Sequence, residues 1–295
     1  MTKNTSFSTW FYAIRPHTLG ASIAPMLVAT AAILHNNVLD LFPLILCYIV
    51  AISAQIASNL ANDLFDYLGG IDTEKRVGFE RVLTQGRVSV RGIITALSIA
   101  VGICALAGLS LVVLKGWWVL AVGIPVLIGI FSYSAGPYPL SYHGLGDIAV
   151  VIFYGLVPVL TTYAIMGGFP PLYLICLAAS TGFWQDNILV VNNYRDYEED
   201  KQTGKHTLIV LLGRKSGPYL YLINALMSFL FLGIGLYLAQ SPIGALVVSV
   251  VALLTYAVGY LSIRRLQGKR LNSLLVYTGR ISVLIAIAIL VTLLL

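Results

Sequence analysis

Leu41–Asp72 reads LFPLILCYIVAISAQIASNLANDLFDYLGGID. From Leu41 to Asn62 it carries no charged side chain, and then it places Asp63, Asp66 and Asp72 in quick succession. An apolar run of about 20 residues is long enough to cross a bilayer as a helix. This one ends in carboxylates, at the level where hydrocarbon meets headgroup.

The rest of the chain fits that reading. Of 295 residues 58% are hydrophobic and 10% charged, with a mean hydropathy of +0.88. A soluble domain carries about 25% charged residues. Nine apolar runs of spanning length follow one another, near 10–34, 41–67, 92–113, 117–134, 146–166, 171–194, 218–240, 242–263 and 276–295. The first is too long for a signal-peptide core and reads as a retained span. Cys47, Cys104 and Cys176 fall inside apolar runs without metal or disulfide spacing and read as small buried hydrophobes. No linker divides the chain, so 1–295 is expected to form a single all-α transmembrane bundle around a central cavity.

Charge orients the bundle. Of the 18 Lys and Arg only Lys115 falls in the short loops; the others gather at the N-terminus and in the loops after spans two, six and eight. The positive-inside rule makes that side cytoplasmic. The net charge of +6 is therefore a basic membrane face, suited to anionic lipid or an anionic substrate, and not a nucleic-acid signature.

Topology does not demand acidic residues, yet they cluster on the same side. Asn59, Asp63 and Asp66 share one helix face at the end of span two, and Asn62 lies four before Asp66. Gly69 and Gly70 follow. In NNYRDYEEDKQTGKHT (Asn192–Thr207), Asn192, Asp196 and Asp200 repeat every four residues at the end of span six. One acidic cluster at a helix end is ordinarily a solvated terminus. Two with the same spacing, at equivalent ends of two spans, point to a shared pocket. Carboxylates beside hydrocarbon are costly and mark functional sites. Two facing oxygen-rich stripes suit Mg²⁺, which keeps waters and joins carboxylates to phosphate oxygens.

These motifs resemble the intramembrane aromatic prenyltransferases, the superfamily of 4-hydroxybenzoate polyprenyltransferase. Asn62, Asp63 and Asp66 match its Asn-Asp-x-x-Asp motif, and Asp196 and Asp200 its Asp-x-x-x-Asp motif. Arg76, Arg81, Leu83 and Gly86 in RVGFERVLTQG are similar to its Arg-containing loop. The chain is most similar to the menaquinone branch, which prenylates 1,4-dihydroxy-2-naphthoate. NNYRDYEEDKQTGKHTLIVLLG and YSAGPYPLSYHGLGD (Tyr133–Asp147) are like that branch's second motif and Gly-Pro loop. Its third Asp falls six residues after Asp66, here at Asp72; in the benzoate enzymes it falls four after, where this chain has Gly70.

The resemblance implies a transferase that moves a polyprenyl group from polyprenyl diphosphate to the naphthoate with loss of CO₂, giving demethylmenaquinone. Mg²⁺ is expected on Asn62, Asp63, Asp66, Asn192, Asp196 and Asp200, with Asp63, Asp66, Asp196 and Asp200 carrying the catalysis. Arg76, Arg81, Lys201 and Lys205 are candidates to hold the diphosphate. Asn59, Asp72, Asp186 and the rings of Tyr133, Tyr138, Tyr142 and Tyr154 are candidates for the acceptor and allylic-cation pocket, although any one Tyr in such a chain more often packs or anchors at the interface. Arg15 reads as a headgroup anchor, and His17 beside it as a weak site candidate. The prenyl tail is expected to pass between helices into lipid.

Two other classes compete. A sister enzyme would take 4-hydroxybenzoate, homogentisate or a porphyrin. An ion-coupled transporter would also carry intramembrane Asp and Asn, but near the midplane on broken helices. A phosphatidyl-type transferase would show an Asp-Gly…Ala-Arg string, which does not occur.

Overall fold

The computed structural model describes residues 7–71 and 77–295; Asp72 and Arg76 lie outside them, as do the side chains of Phe7 and His17. The described residues form helices α1 (Phe7–Ile14), α2 (Pro16–His35), α3 (Leu41–Leu68), α4 (Val90–Lys115), α5 (Leu120–Ser132), α6 (Gly146–Val151), α7 (Val157–Ile165), α8 (Leu172–Arg195), α9 (Tyr197–Gln202), α10 (Leu208–Leu212), α11 (Ser216–Leu238), α12 (Pro242–Arg265) and α13 (Leu271–Leu294). Among the described residues eight apolar segments are long enough to cross a membrane; the ninth expected span is a 3₁₀ turn at Trp117–Val119 running into α5, and is shorter.

The first expected span is not continuous. Pro16 disfavours helical backbone at the residue before it, and Arg15 adopts φ +56° between α1 and α2. Such a conformation in a non-glycine residue is strained and needs support. Asn59 supplies it, donating from Nδ2 to the Ile14 carbonyl at 3.0 Å and to Thr18 Oγ1 at 2.9 Å. The Arg15 carbonyl in turn accepts from the Thr18 backbone and hydroxyl.

Two other ends follow ordinary chemistry. Ser89 caps α4 by accepting from Gly92 N at 3.1 Å. Gly70, at φ +68°, releases the chain after α3.

Between α6 and α7 the span winds as a π-helix, Ile152–Leu156. Pro158 follows and has no N–H to give the carbonyl of Tyr154. At this bulge Gly155 touches α8 so closely that a Cβ on it would fall 2.4 Å from the Gly182 Cα. Small residues let two membrane helices meet backbone to backbone.

Helices α2–α8 surround a cavity of about 600 Å³. Helix α11 packs on α8, α13 on α2 and α8, and α12 closes the outer layer against α11 and α13. The large buried side chains of this layer, such as Tyr221, Leu232, Leu236 and Ile263, back the helix that carries the second acidic motif.

Candidate active site

At one end of the cavity the wall is polar. Asn62 and Asp66 face it from α3, Asn192, Arg195, Asp196, Glu199 and Asp200 from α8 and α9, with Arg15, Arg81 and Lys205 among them. Away from this end the lining is apolar, with Leu109, Val112, Ile124 and Val126 from α4 and α5. The volume falls within the range of roughly 300–1,000 Å³ usual for ligand sites.

The first motif is built on ion pairs. Arg81 Nη2 lies 3.1 Å from Asp66 Oδ2 and 2.8 Å from Asn62 Oδ1, and its Nη1 lies 3.4 Å from Asp63 Oδ1. Arg15 Nη2 pairs with Asp63 Oδ1. Asp63 and Asp66 are almost wholly buried, so each needs its cation: removing one partner of a buried pair costs about 3–5 kcal/mol. Asp63 stands behind the cavity wall, whereas Asp66 is on it. Asn62 is engaged at both ends, donating to Ser134 Oγ at 2.8 Å. Arg15 is thus not a headgroup anchor: the break before Pro16 turns its guanidinium onto the first motif.

In the second motif the expected continuous stripe is interrupted. Helix α8 stops at Arg195, and Asp196 has non-helical backbone (φ −92°, ψ 8°) before α9. Arg195 grips Asp196 with two hydrogen bonds of 2.7 Å, and also donates to Asn192 Oδ1 at 2.6 Å and to Asn272 Oδ1 of α13 at 2.8 Å. A planar guanidinium can serve all three at once.

The Gly-Pro loop joins the two motifs. Tyr142 donates to Asp66 Oδ1 at 3.1 Å. Its own carbonyl accepts from His206 N at 3.2 Å, and Lys205 Nζ sits 5.4 Å from its ring centre and 4.0 Å from Asp66 Oδ2. The Lys205 backbone N–H then binds the Asp200 carbonyl at 2.8 Å. Burial, and next the negative charge of Asp66, push the Tyr142 hydroxyl well above the usual tyrosine range, so it acts as a neutral donor.

Other expected residues divide. Tyr133 and Tyr154 line the cavity. Tyr138 is exposed and stacks on His143 with ring centres 3.6 Å apart, and Lys201 is exposed on α9; neither lines the cavity. Asn59 lines it but is occupied in holding the α1–α2 corner and in accepting from Gln55 Nε2 at 3.1 Å. Asp186 is buried, with Oδ2 accepting from Asn224 at 2.6 Å.

Sequence reasoning missed the structural roles of Arg15 and Arg195, and it passed over Asp147. The Arg-Pro dipeptide was a signal for the first; Asp147 closes the Gly-Leu-Gly-Asp end of the Gly-Pro loop but carries no role in that resemblance.

The donor set can be tested against a divalent cation. Among the described residues no three Asp, Glu, His or Cys side chains stand ready around one point. Mg²⁺ needs only one or two carboxylates, completed by waters and substrate phosphates. The hard oxygens of Asn62, Asp66, Asn192, Asp196 and Asp200 on one wall fit that demand.

Several known proteins are similar to this chain. The 1,4-dihydroxy-2-naphthoate octaprenyltransferase of Mycobacterium leprae is 35% identical over 218 residues, 73% of this chain and 73% of that one. Human UbiA prenyltransferase domain-containing protein 1 is 29% identical over 288 residues, 95% of this chain and 81% of the relative. A solved UbiA homolog from Archaeoglobus fulgidus, bound to GPP and Mg²⁺, shares the fold with a TM-score of 0.70 at 17% identity, over 97% of this chain and 100% of that one. Residues 22–282 match the UbiA prenyltransferase family, and the chain, a membrane-embedded prenyltransferase, belongs to it.

Proposed function

We propose that this enzyme transfers a polyprenyl group from polyprenyl diphosphate to 1,4-dihydroxy-2-naphthoate, with loss of CO₂, giving the quinol form of demethylmenaquinone, at the cytoplasmic membrane with its polar cavity end toward the cytoplasm. The observation that carries the reading is the Asp66–Tyr142–Lys205–Asp200 connection, which draws both acidic motifs to one end of an otherwise apolar cavity. The names of relatives such as the M. leprae enzyme support the acceptor.

In this reading Asn62, Asp66, Asn192, Asp196 and Asp200 hold Mg²⁺, with Asp63 anchored behind them by Arg15 and Arg81. When bound, the ion neutralises charge that builds on the departing diphosphate. Arg81 and Lys205 hold phosphate oxygens, joined by Arg76 and Lys201 if the ligand draws them in. The apolar end between α4 and α5 takes the prenyl tail and excludes water. Tyr133 and Tyr154 turn aromatic faces toward the region where the allylic carbon becomes electron-poor. The basic loops match the positive-inside rule.

Membranes carrying the protein test this directly. Supplied with a polyprenyl diphosphate and Mg²⁺, they should prenylate 1,4-dihydroxy-2-naphthoate and release CO₂. EDTA should abolish product, as should Asp66→Ala and Asp196→Ala. Product from 4-hydroxybenzoate alone would move the enzyme to the sister branch. No product and no diphosphate binding would overturn the prenyl-transfer reading and favour an ion-coupled transporter.

A further inference from the structure

A second pair of carboxylates lies apart from both motifs. Asp147 opens α6, lines the cavity and is 7% exposed, and among the described residues no other hydrogen-bonds to either of its oxygens. Asp186 is 3% exposed; Asn224 serves its Oδ2, and among the described residues its Oδ1 has no partner. It stands about 13 Å before Arg195 along α8, by the helical rise. Asn187 beside it is fully buried with neither end of its amide bonded. Asp186 feels the charge of Asp147, and both carboxylates lie near enough to act on the Tyr133 hydroxyl. That hydroxyl stands against Gly146, next to Asp147.

A buried carboxylate without a cation or donor is costly, and inside a membrane protein it persists where function completes it. Arg15, Arg81 and Arg195 cannot answer that need, since each is spent on a motif. What is missing is an O–H donor on the cavity side. A diphosphate or a prenyl chain brings none, whereas a phenolic ring does.

We propose that Asp147, backed by Asp186, receives a hydroxyl of the aromatic acceptor and takes its proton as the new carbon–carbon bond forms, an assignment that rests on the prenyl-transfer reading above. The acceptor O–H proton moves to Asp147, and the electron pair left behind makes the ring C–O bond a carbonyl. A ring π pair forms the bond to the allylic carbon, whose C–O bond breaks with its electrons leaving on diphosphate. Loss of CO₂ from the substituted ring carbon returns a pair to the ring, and the oxygen takes its proton back from Asp147. Nothing is oxidised or reduced overall, and the proton is borrowed and returned. The Tyr133 hydroxyl, against Gly146, is placed to donate to a second acceptor oxygen.

The test uses the full-length protein in membranes, with Asp147→Asn, Asp147→Glu and Asp186→Asn. Two quantities are measured: kcat and KM for the acceptor, and the Kd of a non-hydrolysable prenyl thiodiphosphate. Proton transfer by a positioned side chain is worth about 10²–10⁴-fold, so Asp147→Asn should lower kcat about 100-fold or more with donor Kd within about twofold. Asp147→Glu should recover part of the rate, and Asp186→Asn should show a smaller loss of the same kind. Asp147→Asn turning over within about threefold of wild type overturns the proposal. So does a parallel loss of donor binding in Asp147→Asn and Asp147→Glu, which marks a purely structural role. Wild-type protein that binds the thiodiphosphate but prenylates no phenolic acceptor would instead sink the acceptor reading itself, and this inference with it.

Discussion

Lys205 Nζ stands 4.0 Å from the carboxylate of Asp66, although Asp66 closes the first acidic motif and Lys205 follows the second. The contact spans the mouth of the cavity, and Tyr142 sits against both partners. In the proposed reaction a point cation there would take a phosphate oxygen.

Replacing Lys205 with Met should therefore raise the KM for the prenyl donor about tenfold or more and leave the acceptor KM nearly unchanged. Lys201→Met, on an exposed turn outside the cavity lining, should change either constant less than about twofold. Steady-state kinetics on the two variants separate a phosphate-binding lysine from one that only adds surface charge.

Arg195 holds Asp196, Asn192 and Asn272 together inside the bundle, with 1% of its side chain exposed. Arg195→Ala should cost about 3–5 kcal/mol, the usual penalty for stranding one partner of a buried pair. Arg195→Lys should recover only part of it, because a lysine cannot make the two-pronged bond. Thermal unfolding in detergent gives the order wild type, Lys, Ala.

Tyr142 should stay protonated through the whole working range. Its folded pKa is raised, by burial first and then by Asp66. Its proton is therefore held more tightly in the folded protein, and the associated stability is complete below the ordinary tyrosine value of about 10 and falls only as pH rises above it. A difference titration of tyrosinate absorbance between wild type and Tyr142→Phe should show the missing group ionising later than exposed tyrosines. A missing group titrating near 10 would refute the neutral-donor role.

Gly155→Val should be poorly tolerated, since even a Cβ there meets the Gly182 backbone. Overpacking of this kind costs about 1–3 kcal/mol or more. Gly108→Ala, where a Cβ meets nothing within 4 Å, is the control. Yield of folded protein after detergent extraction should fall for the first variant and hold for the second.

Much of this architecture is legible in the chain, because bilayer-length apolar runs leave few alternatives. Asp66, Asp196 and Asp200, with Asn62 four before Asp66, could be singled out because acidic residues at span ends serve no topological purpose, and the fold sets all four around one cavity. The ion pairs could not be read in the same way. Arg15 and Asp63 are far apart in sequence, and the corner that joins them depends on Pro16 breaking a run whose hydrophobicity argued for continuity. Asp196 looked like one more step of a helical stripe, yet Arg195 takes hold of it where the helix ends. Asp147 was overlooked because a single carboxylate in a Gly-rich loop has no periodic partner; its companion Asp186 arrives from another helix.

The π-wound stretch at Ile152–Leu156 also bears on how the chain tolerates changes of length. A π turn accommodates one residue more than a regular helix would in the same rise. Removing a single residue there would let the span run as plain α-helix, with its ends and neighbours undisturbed. The two halves of that span would keep their facing, because the π turn absorbs the extra residue, but the residues inside the turn would change face, carrying Tyr154 off the cavity wall. The bulge thus sets which residues of the turn itself look inward, and a deletion there would cost aromatic lining before it cost fold.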